Sequence, residues 1–501
     1  MTCVIGIDGG TESIRAHVFT LDGICLGSCA ASYPTRFPQP GWAEQSPEDW
    51  WVALGTATRG AMAEANVPVD SVLALSLATT SCTVVMLDGA GRPLAPALLW
   101  MDVRASKEAE RVRAARDALP DTLFNTHGPV SAEWMLPKAL WLKANATELY
   151  DQSTTICEYQ DYLCHRLTGR MVASLNTASI RWHYDSENGG FPLDLLARLD
   201  LAELAKKWPR DVLPPGDYVG NLTPEASAHL GLLPGVKVIQ GGADAFIGMI
   251  GAGVHKPGQL ALISGSSHLQ LAVSPTRQNV PGLWGSYPDA VYAGRYIVEG
   301  GQSASGSMVA WISRLLGTPN DWDRLNSEAE KLPPGSDGLV MLDHFQGGRS
   351  PRPDADSRGA IVGLSLAHTQ AHLFRAAVES VCLGTQAVLE TMQGHGLPIT
   401  QMTIVGGATR SPLWLQIHAD VSGLPLNVPE CTDGPGLGAA ILAACGAGCF
   451  KDIDSAIANM VRIARRISPD PRRNATYRQL FADYFSLYPA LRAWRLERAS
   501  A

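Results

Sequence analysis

The 501 residues contain no Cys-x-x-Cys pair, no GxxxxGK[ST] loop, no GxGxxG turn and no block of basic residues. Ten cysteines scattered singly argue against a structural zinc site and a secreted disulfide framework, and fit a reducing cytoplasm. The missing glycine motifs remove the main support for P-loop and Rossmann readings. A formal net charge of −8 without a basic stripe speaks against a nucleic-acid partner. Long apolar runs are scarce as well. Asp8 interrupts the first of them, and Leu437–Phe450 is too short and too rich in glycine to cross a bilayer, so neither a signal peptide nor a membrane span is expected.

What is present reads as an α/β enzyme. The chain exceeds what one hydrophobic core holds, so two domains or more are expected. Composition is 46% hydrophobic and 18% charged, and the 49 glycines cluster at strand ends. The first 30 or so residues predict two strands around the turn of "GIDGGTESIRAHVF", then a third strand in "GICLGSCAASY". Pro47–Ala65 reads as a helix with Ser46 at its N-cap and Pro47 at its first position. Ser71–Asp88 reads as strand, polar interruption, strand, and helical text runs from Ser106 to about Gly169. "QLALISGSSHLQLAV" repeats the opening plan of apolar strand, Gly/Ser turn and apolar strand. That echo predicts a duplicated unit with a cleft between the halves and a boundary near Ala245–Lys256. The aromatic stripe from Tyr477 to Trp494 falls at helical spacing and reads as core packing.

Four glycine-rich turns follow apolar strands: Asp8–Ser13, Gly241–Asp244, Ser264–Ser267 and Gly406–Thr409. Glycine lets backbone N–H groups approach a phosphate, and hydroxyls add donors. One such turn is unremarkable, but four placed alike suggest the lining of a ligand crevice. Asp244, where a strand gives way to a helix, fits either a general base for a substrate hydroxyl or a helix N-cap. Asp8 fits either a turn residue bonding its own backbone or a ligand for nucleotide-bound Mg2+, directly or through water. "WMDVRA" places Asp102 and Arg104 on alternate positions of an extended run. They read as a surface salt bridge or as a grip on sugar hydroxyls.

In their order and spacing, "GIDGGTESIRAHVFTLDG", "WMDVRA", "DYLCHRLTG", "GGADAFIGMIGAG", "LISGSSH", "EGGQSASGSMVAW", "FQGGRSPRPDADSRGAIVGL" and "VGGATRSPLWLQIHADVSGLPL" resemble the FGGY family of carbohydrate kinases, from about residue 3 to 450. The resemblance implies two ribonuclease-H-like domains of the actin-like ATPase superfamily around an interdomain cleft, with residues 1–250 and 251–501 as the halves. It implies a first phosphate hairpin at Asp8, Gly10, Thr11, Glu12 and Ser13 with Arg15 beyond, and a second at Gly265, Ser266 and Ser267. An adenosine loop at Gly406, Gly407 and Ala408 follows from it, with Gly306 on the nucleotide side and Gln416 and Asp420 on the next helix. Asp244 corresponds to the catalytic base, beside Ala245, and Trp100, Asp102 and Arg104 to the sugar-contacting strand. ATP, Mg2+ at Asp8 and a small sugar are the implied ligands.

Departures from the family bear on the sugar. Xylulose kinases carry Gln-Met-His-Gly where this chain has Thr80, Ser81, Cys82 and Thr83, and glycerol kinases carry an Arg-Glu pair there. The stretch is more similar to the Thr-Thr-Gly-Ser or Ala-Thr-Cys-Ser of ribulokinases, so ribulose is the first expectation, with xylulose or a polyol such as erythritol or ribitol as the alternative. Lys138 and Trp141 of the family's first signature are kept, while Met135 stands where a small residue or proline is usual. Two rival classes are an inactive ATP-binding regulator, against which Asp8, Arg15 and Asp244 argue, and a non-enzymatic sugar-binding protein. A homodimer is the default expectation.

Overall fold

The computed structural model describes residues 1–120 and 130–499. Two mixed sheets carry the molecule. In the first, Cys3–Gly9 lies between its antiparallel hairpin partner Ser13–Thr20 and the parallel strand Val72–Thr79; Cys25–Ser32 lies beyond the hairpin, and Lys237–Ala243 and Tyr218–Asn221 lie beyond Val72–Thr79. The second repeats this order with Gln259–Ser264 at the centre, His268–Ser274 and Tyr296–Gln302 on one side, and Gln401–Gly406, Leu426–Pro429 and Ile463–Ile467 on the other. Trp284–Pro288 adds one further edge strand. The echo read in the two hairpins is therefore a repeat of whole-sheet topology. Each central strand is covered on both faces, which is why its sequence is a nearly continuous apolar run.

Helices cover the sheets. Pro47–Ala65 begins with Pro47 in the first turn and ends at left-handed Asn66, and it buries Trp50, Leu54, Ala57 and Ala61 along one face. Ser46 stands at its N-cap but makes no side-chain cap bond. Gln370–Gly394 backs the second sheet. Between the sheets, Asp244–Gly251 crosses Gly434–Gly446 at backbone distance. A Cβ on Gly438 would lie 2.0 Å from the Ile247 carbonyl oxygen. No helix among the described residues is long and apolar enough to cross a membrane.

Three expectations change. The helical text from Ser106 to Gly169 resolves into Ser106–Asp117, Met135–Asn145, Thr147–Gln152 and Tyr159–Thr168, with a strand, Thr155–Glu158, inside it; positions 121–129 lie outside the described residues. That strand completes a small sheet with Val84–Leu87, Ala97–Leu98 and Glu44–Gln45. Gly241 and Gly242 form no turn but belong to Lys237–Ala243, where a Cβ on Gly241 would meet the Leu77 carbonyl oxygen at 1.7 Å. Glycine there permits close strand approach. "WMDVRA" is not extended: the strand ends at Leu98, and the chain turns through Trp100 and Met101. The tail forms one helix, Pro471–Ala499, which buries Tyr477 and Tyr484 while Trp494 stays exposed.

Candidate active site

The first hairpin places a buried carboxylate beside a tight turn. Asp8 pairs across the strands with Arg15, and Nη1 of Arg15 lies 3.2 Å from Oδ2 of Asp8. Burial, then the neighbouring carboxylates of Asp433 and Asp244, hold the Asp8 carboxyl well above its usual range. The loop is braced from behind. Gly10 N–H donates to the Ser13 carbonyl at 3.0 Å, Gln45 donates to the Thr11 carbonyl at 2.6 Å, and the Tyr33 hydroxyl donates to the Gly10 carbonyl. Glu12 and Arg15 are exposed at its edge, with Thr11 and Ser13 half-buried.

In the second hairpin, Gly265 N–H donates to the Ser267 carbonyl at 2.9 Å, leaving Gly265 and Ser266 exposed. Ser305 and Ser307 donate backbone N–H groups to the Ser266 carbonyl at 2.9 and 3.1 Å. Gly306 thus abuts the hairpin so closely that a Cβ there would lie 2.5 Å from the Gly265 carbonyl oxygen. Gly406 is aligned with Ser264. Gly306 and Gly407 line one cavity of about 420 Å3 with Trp322, Asn326, Phe374 and Trp414. Its apolar walls and few polar groups suit a flat heteroaromatic ring. Ala408 is buried behind the loop, and Asp420 is buried against the tail, accepting the Asp470 N–H at 2.8 Å and the Gln416 amide at 2.8 Å.

Asp244 is the first residue of its helix; Ala243 is the N-cap. Of the two sequence readings, the capping one fails: among the described residues the carboxylate accepts the N–H of its neighbour Ala245, at 2.7 Å, and no other hydrogen bond. Burial raises its pKa to about 6, partly offset by that bond. The group is therefore mostly ionised at neutral pH yet close enough to neutrality to accept a proton. No group of three or more His, Cys, Asp or Glu side chains among the described residues could hold a metal by itself. Asp8 fits a Mg2+ bound by one carboxylate together with substrate phosphates, and the crowding of carboxylates around it is a charge that a cation would relieve.

Residues 3–251 match the FGGY family of carbohydrate kinases, N-terminal domain, and residues 260–447 match its C-terminal domain. The chain belongs to the FGGY family. It is an ATP-dependent carbohydrate kinase. A ribulokinase of Mycolicibacterium smegmatis is 31% identical over 99% of this chain and 97% of its own length. An FGGY carbohydrate kinase domain-containing protein of Homo sapiens is 30% identical over 93% of this chain and 92% of its own. The solved xylulose kinase from Rhodospirillum rubrum is 28% identical, with a TM-score of 0.86 over 98% of this chain and 99% of that one. Gluconate kinase from Lactobacillus acidophilus, 22% identical, shares the fold at a TM-score of 0.87 over 98% of each chain.

Among the residues expected to contact sugar, Thr80 N–H donates to the Gly9 carbonyl at 3.0 Å, and Nε1 of Trp100 donates to Oγ1 of Thr11 at 3.0 Å. The candidate wall and the first hairpin are thus one piece. Trp100 is exposed and Ser81 half-buried. Asp102 has no exposed surface, and the Arg104 side chain is 3% exposed. Arg104 forks onto Asp102 and Glu44 at 2.7 Å each, with its guanidinium 3.7 Å from the Trp42 ring centre, and Asp102 also accepts the Ala43 N–H at 2.7 Å. This ion pair sits behind the turn and holds it.

Sequence reasoning missed a second group of charges. Arg181 makes a bidentate pair with Glu299 at 2.9 and 3.1 Å, joining the helix Leu175–Arg181 to a strand of the other sheet, and Tyr287 donates to Glu299 at 2.9 Å. Arg349 lies 3.8 Å from Glu299 and stacks over Trp284. The two partners stand 118 positions apart, so no local pattern could have joined them. "EGGQS" carried the only visible signal, a charge beside two glycines in a buried strand.

Proposed function

We propose that this kinase transfers the γ-phosphoryl group of ATP to a terminal hydroxyl of a ketopentose, ribulose first. Asp244 carries the reading: its carboxylate is held without a capping duty, near enough to Asp8 of the first hairpin to act on its charge, at a pKa suited to taking the hydroxyl proton. Backbone N–H groups at the two turns, those of Thr11 and Ser266 among them, would cradle the phosphates, with Gly10 and Gly265 closing the turns, and the cavity at Gly306 and Gly407 would take the adenine. Asp8 would hold Mg2+, which when bound neutralises charge on the β- and γ-phosphates. Thr80, Ser81, Cys82 and Trp100 would face the sugar, with Asp102 and Arg104 as supports and Ala245 beside the base. We also take residues 1–250 and 251–501 as the two closing halves, and a homodimer as the working assembly. Resemblance to ribulokinases over nearly the whole chain supports ribulose, as does the small, hydroxyl-rich wall at Thr80–Thr83.

The test is ADP release from Mg-ATP with D- and L-ribulose, D- and L-xylulose, erythritol, ribitol and glycerol. Ribulose should respond most strongly. Asp244→Asn should lose about 10²- to 10⁴-fold in kcat while keeping ATP and sugar affinity. Near wild-type kcat in that variant would sink the assignment of the base, and a stronger response to xylulose or a polyol would overturn the substrate.

A further inference from the structure

Cys82 has φ of +60°, a left-handed conformation that a non-glycine residue adopts only under constraint. Its peptide groups are held from two sides by buried polar side chains. The N–H donates to Oε2 of Glu158 at 3.0 Å, and the C=O accepts from Nζ of Lys138 at 2.6 Å. Glu158 ends the strand Thr155–Glu158, and its other oxygen accepts the Trp182 indole N–H at 2.7 Å. Lys138, on Met135–Asn145, spends its remaining donors on the carbonyls of Leu98 at 3.2 Å and Leu99 at 2.5 Å, the residues leading into Trp100. Both side chains are fully buried. The same ammonium therefore ties the Thr80–Thr83 turn to the turn that presents Trp100.

We propose that Lys138 and Glu158 are positioning residues for sugar recognition, clamping the two peptide groups of Cys82 so that its left-handed turn and the Trp100 turn keep one fixed relation. This rests on the reading of Thr80–Cys82 and Trp100 as the sugar wall. Neither residue touches the cleft, and neither forms an ion pair with the other; they act on one residue from opposite ends. Burial lowers the Lys138 pKa to about 8 and raises that of Glu158 to about 8, so near neutral pH the ammonium keeps its charge while the carboxyl lies toward its neutral form, which still accepts the Cys82 N–H. Removing one partner releases a strained turn, and a glycine at position 82 would remove the strain itself.

The clamp predicts a split in the kinetics and a rescue. With D-ribulose as the sugar, Lys138→Met should raise KM for sugar about tenfold, with ATP affinity within about twofold of wild type. Adding Cys82→Gly to Lys138→Met should recover most of that loss, because glycine takes the left-handed conformation unaided. Should Lys138→Met fail to fold, Glu158→Gln, which keeps shape and the indole contact, is read instead and should raise KM about three- to fivefold. Ser81→Leu separates the two layers of argument: no change in sugar KM would remove the wall reading itself. A Ser81→Leu effect combined with an unchanged KM in the clamp variants, or with a Lys138→Met/Cys82→Gly double variant whose KM stays about tenfold above that of Cys82→Gly alone, would overturn the clamp alone.

Discussion

The two hairpins occupy the same place in two sheets of the same order, yet they carry different chemistry. In the first the last paired residues are Gly9 and Ile14, and one rung back stand Asp8 and Arg15. In the second the last pair is Ser264 and His268, and one rung back stand Ile263 and Leu269. An ion pair in one half is an aliphatic pair in the other. Both turns still offer backbone N–H groups, closed by similar short bonds from Gly10 and Gly265. The hairpin recurs in both sheets, and the charged rung stands in only one copy, where Asp8 feels the Asp244 carboxylate. On the proposed reading, phosphate binding would be shared, while cation binding and proton transfer would belong to the first half.

Asp8→Asn should separate the hairpins most sharply. Loss of the carboxylate that fits Mg2+ is expected to lower kcat/KM about 10³-fold. Affinity for ATP measured without divalent cation should change little, since the backbone donors remain. Retained activity together with an unchanged dependence on Mg2+ would show that the charged rung is not what distinguishes the halves.

These differences were unevenly legible in the sequence. Both hairpins and the Asp244 position stood out because a strand, a turn and a helix start are local patterns. Gly241 and Gly242 misled, since a glycine needed for close strand approach looks the same in sequence as one needed for a turn. "WMDVRA" misled because alternation implies a strand only if the chain stays extended, and here Arg104 is drawn inward by Trp42 and Glu44, some 60 positions upstream. The strand Thr155–Glu158 was hidden in helical text because four residues carry too little periodicity to outweigh their neighbours. Glu158 and Lys138 were visible as residues, but their shared target was not, because its φ of +60° is a tertiary fact.

A second contrast lies in the histidines of the two hairpins. His17 stands 3.1 Å from Asp433, which caps the helix Gly434–Gly446, so it links the first sheet to a helix from the other half. Burial opposes its charge, but Asp433 and then Cys25 outweigh burial and raise its pKa to about 9. For Asp433 burial likewise opposes the charge, and His17 and Arg15 still hold its carboxyl below the usual range. His268 is buried against neutral groups, with Nε2 2.9 Å from Ser264 Oγ, and its pKa falls to about 3. The signs are opposite. The His17 contribution is fully present below about pH 6.5 and is lost as pH rises toward 9; the unfolded chain binds a proton below 6.5 that folded His268 refuses, so that site weakens the fold in acid. His17→Leu should lower stability at pH 6 by up to about 3 kcal/mol, with the deficit shrinking to near zero at pH 9 to 10. His268→Asn should instead flatten the acid limb of a Tm-versus-pH profile. A deficit in His17→Leu that does not vary with pH would mean that the link is packing and not charge.

The smallest effect should come from Ser264→Ala. Its hydroxyl meets His268 and its carbonyl oxygen lies where Gly406 must come close, 2.1 Å from a hypothetical Cβ on that glycine. Backbone geometry, which alanine preserves, sets that contact, so the Gly406–Ala408 loop should stay in register. His268 loses one hydrogen bond, a cost of about 1 kcal/mol and at most about a fivefold change in KM for ATP. A drop in kcat of two orders of magnitude would instead show that the neutral rung takes part in phosphoryl transfer. The two hairpins would then be equal partners in the chemistry despite their different residues.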